Sequence, residues 1–248
     1  MLGMEYVGVF TITFFMGNII DIPRRIVSQV ASPIIAKNWA TDNVSEIDIV
    51  YKKSALNLLI FGTLLFLGIW LNVDFIFNVI PNANIYVQGK YVILFISLAK
   101  LVDMSFGPST EIINYSRYFK FNLFLSIILS GLLIISNLIF IPIFGINGAA
   151  FATLMSMIIF NLVKYIFLRK KYSLSPFTRE YLIVIVITLL TLLILQFVHF
   201  SNIWLEMLFK SIFILIIHTG SIYFLRISEE VNNIVNKVFN YLFNRNIR

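Results

Sequence analysis

Long apolar stretches, each near the length that crosses a bilayer and joined by short polar connections, constrain this chain more than any other feature. Seven of them run over roughly 6–35, 56–80, 91–114, 121–143, 148–168, 181–198 and 203–225, the first interrupted by Pro23 and Pro33. A helix of about 20 apolar residues spans the hydrocarbon core. Within that core no water reaches the backbone N–H and C=O groups, so only helices or closed barrels persist. The stretches lack the period-2 alternation of outer-membrane strands, which leaves helices. Composition agrees: 59% of the 248 residues are hydrophobic and 12% are charged, against about a quarter charged in soluble domains. The expected fold is all-α, a polytopic membrane protein of about seven transmembrane helices. With no cysteine, disulfides, thiolate metal sites and cysteine nucleophiles are excluded.

The connections alternate in charge. One set holds Lys37, Lys52, Lys53, Arg117, Lys120, Arg169, Lys170, Lys171 and Arg179, and the tail adds Arg226, Lys237, Arg245 and Arg248. The opposite set ("PNANIYVQGK", "IPIFGING", "VHFSN") holds Lys90 alone. Basic residues concentrate on the cytoplasmic side of short loops. The N-terminus is therefore expected outside and the C-terminus in the cytoplasm. The formal net charge of +7 belongs to these orientation signals, so nucleic acid is not an expected partner. "MLGMEYVGVF" lacks a basic n-region and does not read as a signal peptide. In the tail, 227–248, Ile227, Val231, Ile234, Val235, Val238 and Leu242 recur at helical spacing. That pattern predicts an amphipathic helix, lying on the cytoplasmic surface or packed on the protein.

The third stretch, "YVILFISLAKLVDMSFGPSTEIINYSR", carries ionisable groups inside an apolar run. At 100° per residue Lys100, Asp103, Gly107, Glu111 and Asn114 fall within about 80° of one another. A charge at mid-membrane costs about 2.5–3.5 kcal/mol on insertion scales. Lys100 lies roughly 14 Å along the helix from Tyr91, too deep to snorkel easily. The stripe is either a Lys100–Asp103 pair at i,i+3 or a face turned to a watery cavity. The first stretch repeats the pattern with Asn18, Asp21, Arg25, Gln29 and Ser32 on one face, and Arg24 beside them. Weaker polar lines run through Ser126, Ser130 and Asn137, and through Thr153, Met157, Asn161 and Lys164. Lys164 reads as a snorkelling residue. Helices with one polar face each hide those faces from lipid by surrounding a shared hollow. Arg24, Arg25, Lys100, Asn18, Gln29 and Asn161 are the expected substrate contacts, with Asp21, Asp103 and Glu111 as ion-pair or coupling-ion positions. Guanidinium groups suit phosphate through fixed paired donors. The last two stretches, 181–225, are duller and are expected at the periphery, with His218 a packing or interhelical hydrogen-bonding residue rather than a ligand. No paired carboxylates, metal-spaced histidines or glycine-rich phosphate loop occur, so neither a cofactor nor an enzyme is expected.

The segment "IPIFGINGAAFATLMSMIIFNLVKYIFLRKKY" resembles a recurrent pattern of the polysaccharide transport, or O-antigen flippase, family of the MATE-like MOP exporter superfamily. The matching residues are Pro142, Gly145, Gly148, Ala149, Ala150, Ala152 and Thr153. Small residues there let two helices approach at a tight re-entry. "VGVFTITFFMGNIIDIPRRIVSQVASPIIAKNW" and "YKKSALNLLIFGTLLFLGIW" resemble the helices that precede it in that family. The resemblance covers nearly the whole chain but about half of the family's pattern. It implies a five-span C-terminal lobe over 1–168, two further helices over 181–225, and the tail. It also implies a partial chain, or a half-transporter that needs a missing lobe or partner half. The implied activity is translocation of a lipid-linked oligosaccharide across the bacterial inner membrane by alternating access. A multidrug cation antiporter or a lipid II flippase of the same superfamily are alternatives, as is a membrane enzyme of polysaccharide assembly. Arg24, Arg25 and Lys100 disfavour the antiporter, whose substrates are cations.

Overall fold

A computed structural model describes residues 3–81 and 83–243, and the tail calls on Arg245 and Arg248 lie outside the described residues, as do the side chains of Val238 and Leu242. The described residues form helices and contain no strand. Among the described residues, five helical segments are long and apolar enough to cross a membrane: Met4–Ala40, Val44–Leu71, Asn84–Ser105, Phe119–Tyr172 and Ile203–Phe224. Their large apolar side chains cover much of the outside, among them Ile127, Ile134, Leu138 and Leu182. Contiguous apolar area of that extent belongs against lipid. The chain is a helical, membrane-embedded protein.

Prolines decide where the long helices break. α1 (Met4–Asn18) passes through a tight turn, Ile19–Asp21, into α2 (Ile22–Ala40). Pro23 has no N–H for the Ile19 carbonyl, and the Ile22 N–H takes it instead. α3 (Val44–Leu71) starts where the Asn43 side chain accepts from the Glu46 N–H, a side-chain cap. It stops at Asn72, ahead of the short α4 (Val73–Val79), so the expected stretch 56–80 is shifted toward the N-terminus and divided. α5 (Ala83–Tyr86) leads through a turn into α6 (Lys90–Ser105). The expected third stretch, 91–114, is not one helix. Pro108 leaves the Met104 carbonyl free and the Gly107 N–H takes it at 2.9 Å. Gly107 has φ +55, and a Cβ there would meet Ala55 of α3 at 2.9 Å. Only glycine satisfies both conditions. α7 (Ser109–Tyr115) then continues on a new axis.

α8 (Phe119–Tyr172) is 54 residues of continuous helix in name, but Gly145 has φ 58 and ψ −134 and folds it back on itself. Phe121 stacks on Phe167 at 4.1 Å and Phe140 meets Phe151 at 5.0 Å. A straight helix would hold the first pair about 70 Å apart. A Cβ on Gly148 would lie 2.0 Å from the Phe140 carbonyl oxygen, so the arms touch through backbone. Ser173, with φ 59, closes α8: its N–H bonds to Arg169, the Leu174 N–H bonds to Leu168, and both leucines are buried together. α9 (Arg179–Leu195) is 17 residues long. α10 (Ile203–Ile214) runs through the wide turn Leu215–Thr219 into α11 (Gly220–Phe224). The count of five long helices against seven expected stretches follows from two facts: the α8 hairpin merges two stretches, and α9 is short.

α6 packs against α1, α3 and α8, while α9 and α10 lie on α3. One apolar cluster joins Ala31, Ile35, Ile47, Tyr51, Ile112 and Leu168 at the basic end of the bundle. α12 (Glu229–Phe243) does not float free of the protein. Ile227, Val231 and Val235 pack with Leu59, Tyr181 and Ile222, and Ser228 donates to Asn57 at 2.7 Å. Ile234 remains exposed.

Candidate functional site

The two proline breaks, at Asp21–Pro23 and Gly107–Pro108, bring polar side chains from α2, α6, α7 and the second arm of α8 together. The Arg24 Nη1 lies 3.0 Å from Asp103 Oδ2 and 3.9 Å from Asp21 Oδ1. The Arg25 Nε donates to Asp21 Oδ2 at 3.4 Å. The Lys164 Nζ approaches Asp103 Oδ1 at 3.8 Å and donates to Thr110 Oγ1 at 3.0 Å. The Ser28 hydroxyl donates to Glu111 Oε1 at 2.7 Å. Arg24, Arg25 and Lys164 thus meet Asp21 and Asp103 in one network, and Glu111 is held by Ser28 of α2.

Burial differs across this network. Lys164 is 1% exposed and Asp103 lies in the same interior, whereas the Arg25 side chain is 69% exposed. The network is closed on the α8 side and open on the α2 side, where Gln29 is also exposed. Asn161 is fully buried one turn from Lys164 and its Nδ2 donates to the Met157 carbonyl. Asn18 is half-buried beside the α1–α2 break. Among the described residues Asn18 Oδ1, Arg24 Nε, Glu111 Oε2 and Asn161 Oδ1 are buried and have no hydrogen-bond partner. The site therefore keeps unused donors and acceptors as well as charge. No group of three metal-ligating side chains gathers among the described residues.

Lys100 departs from the expected arrangement. It is half-buried and forms no ion pair among the described residues, because both Asp103 oxygens face other cations. The Gly107–Pro108 break also turns Glu111 and Asn114 off the α6 axis, so the stripe drawn through 100–114 does not persist. Asn114 instead accepts from Asn122 at 2.7 Å. Lys164 is the residue that sequence reasoning underrated. It sits eight positions before the end of α8, about 12 Å of helix, and its i−3 neighbour is the buried Asn161. Those two features distinguish it from a snorkelling lysine.

Other polar positions are satisfied locally. Ser126 and Ser130 donate to carbonyls of their own helix, which removes the need for a watery partner. His218 is buried, with Nε2 at 3.0 Å from Thr63 Oγ1 and 3.5 Å from Thr188 Oγ1, linking three helices. Lys210 pairs with Glu206 one turn earlier. Two cavities are lined elsewhere. One of about 340 Å³ is bounded by Tyr91, Phe95, Phe144, Asn147 and Phe151, and one of about 300 Å³ by Trp39, Asp42, Val44, Tyr115, Ser116, Arg117 and Tyr172. Comparison with family models, curated proteins and solved structures gave no match for the chain.

Proposed function

We propose that this chain is a transporter lobe that moves a lipid-linked oligosaccharide across the bacterial inner membrane, resembling the polysaccharide flippases of the MOP superfamily. On this reading it has seven spans, the two arms of α8 being separate crossings and α9 another, with the N-terminus outside and the C-terminus in the cytoplasm. It is not an enzyme. The observation that carries the reading is the network at the two broken helices: Arg24 and Lys164 share Asp103 inside an apolar slab, with Arg25 and Gln29 on the open side. Broken helices at membrane depth line substrate sites in transporters, where freed backbone and paired charges meet the ligand. An incoming pyrophosphate would compete with Asp21 and Asp103 for the guanidinium groups, whose fixed donors match phosphate oxygens. Exchange of an internal carboxylate for a substrate anion gives the site two states, and the displaced carboxylate then requires a cation of its own. Asp103 released in this way is the position for a coupling cation. The Gly145–Gly148 re-entry supports the same reading, since the resemblance rests on those residues.

The test is transfer of a fluorescent pyrophosphate-linked lipid oligosaccharide between leaflets of proteoliposomes. The chain is expected to exceed empty liposomes at least tenfold (about 1.4 kcal/mol of barrier), and Arg24→Gln to abolish the excess. Equal transfer by the wild type and empty liposomes refutes transport by this chain alone, and equal transfer by wild type and Arg24→Gln refutes the role given to the network.

A further inference from the structure

A second charged feature lies on the outside of the α8 hairpin, apart from the network. A groove of about 310 Å³ opens between its arms at the basic end, lined by Phe121, Val163, Ile166, Phe167, Lys170 and Lys171. The floor is the Phe121–Phe167 stack. Val163, Ile166, Phe167 and Lys170 share one stripe of the second arm, at spacings of three and four. Asn161, Lys164 and Leu168 form a different, buried stripe. Val163 and Ile166 are exposed, where lipid tails contact the protein. Lys170 lies about 10 Å farther along the axis than Val163, the offset between an acyl chain and its headgroup.

The rim carries positive charge that the protein does not neutralise. Lys170 and Lys171 are exposed and have no carboxylate partner among the described residues. Lys171 lies 4.9 Å from the Tyr118 ring and Arg117 lies 5.4 Å from the same ring, so Tyr118 fixes two cations beside the groove. Lys171 also holds the Tyr118 phenol below its ordinary pKa. Basic pockets between transmembrane helices attract anionic headgroups. We infer that this groove binds one anionic phospholipid, its phosphate at Lys170 and Lys171 and one acyl chain along Phe121, Val163, Ile166 and Phe167. A zwitterionic lipid would bring its own cation against the two lysines. The proposal needs only membrane embedding and does not depend on transport.

Native mass spectrometry of the purified chain in detergent tests it, with phosphatidylglycerol, phosphatidylcholine of the same acyl chains and inorganic phosphate as probes. Phosphatidylglycerol is expected to be retained about tenfold more than phosphatidylcholine, at about one decade or less per lysine, with inorganic phosphate not retained. Lys170→Gln with Lys171→Gln should remove the preference, and Val163→Trp, which fills the groove, should lower retention of both lipids. Lys37→Gln with Arg179→Gln removes the same charge from the same end without touching the groove, and should leave the preference intact. Equal retention of the two lipids overturns the proposal. So does retention of inorganic phosphate to the same extent, which marks a phosphate site without a lipid. A loss of preference in Lys37→Gln/Arg179→Gln equal to that in the groove variant assigns the effect to general surface charge and overturns it as well.

Discussion

Asp103 presents one carboxylate oxygen to Arg24 and the other to Lys164, both from other segments of the chain. Removing one partner of a buried pair costs about 3–5 kcal/mol, because the other charge stays buried and alone. Asp103→Ala strands Lys164 and leaves Arg24 with Asp21 alone at 3.9 Å, and is expected to destabilise by about that amount in thermal or denaturant unfolding in detergent. The triple variant Asp103→Leu, Arg24→Met, Lys164→Met replaces the whole unit with apolar volume and should recover most of the loss, since such replacements are neutral or stabilising. If the triple variant is as unstable as Asp103→Ala, the ion pairs are not what the interior requires. Lys100→Met is expected to leave stability unchanged or raise it, as Lys100 has no ion pair among the described residues to lose.

Helix α8 turns on Gly145 and is held closed at Gly148. The chain has no cysteine, so an engineered pair reports without background. Phe121→Cys with Phe167→Cys should cross-link with a short bismaleimide, because the two rings stack. Gly148→Leu should abolish that cross-link, because its side chain has no room beside the Phe140 carbonyl. A second element-scale expectation concerns α12. Burial pushes the Glu230 carboxyl up, but its own backbone N–H, Lys53, Ser228 and Asn57 outweigh that and hold it below the usual range. A depressed carboxyl pKa stabilises above the unfolded value and loses that contribution as pH falls through the folded one. Lys53 and Glu230 are about half exposed, so the pair itself is weak. Hydrogen exchange in α12 should therefore accelerate modestly as pH falls below about 4, after correction for intrinsic rates. The acceleration should be missing in Glu230→Gln.

For the whole molecule, the proposed orientation has a direct test in the same cysteine-free background. Ser175→Cys lies in the connection after the basic end of α8, and Asn202→Cys lies in the connection at the opposite end. A membrane-impermeant maleimide should label Asn202→Cys in intact cells and label Ser175→Cys only after permeabilisation. The reverse pattern would invert the topology and place the basic connections outside.

Most of the fold was legible because its signals are local. Apolar runs of bilayer length announce helices, Pro23 and the glycine-containing connection at Gly145 mark breaks, and the tail spacing marks α12, whereas the break at Gly107–Pro108 was read as part of one span. The sequence also expected Asp21, Arg24, Arg25, Lys100, Asp103 and Glu111 to turn away from lipid, because each is costly to leave there; Arg25 nonetheless stays 69% exposed. Pairing was not legible. Whether Asp103 meets Lys100 one turn away or Arg24 and Lys164 from distant helices depends on how the broken axes cross, and a helical wheel assumes an unbroken axis. The partner of Lys164 was hidden for the same reason: only the fold of α8 at Gly145 carries it against Asp103. Local periodicity determined which residues must avoid lipid, and tertiary packing decided which partners they found there, since ion pairing depends on distances between segments that sequence spacing does not contain.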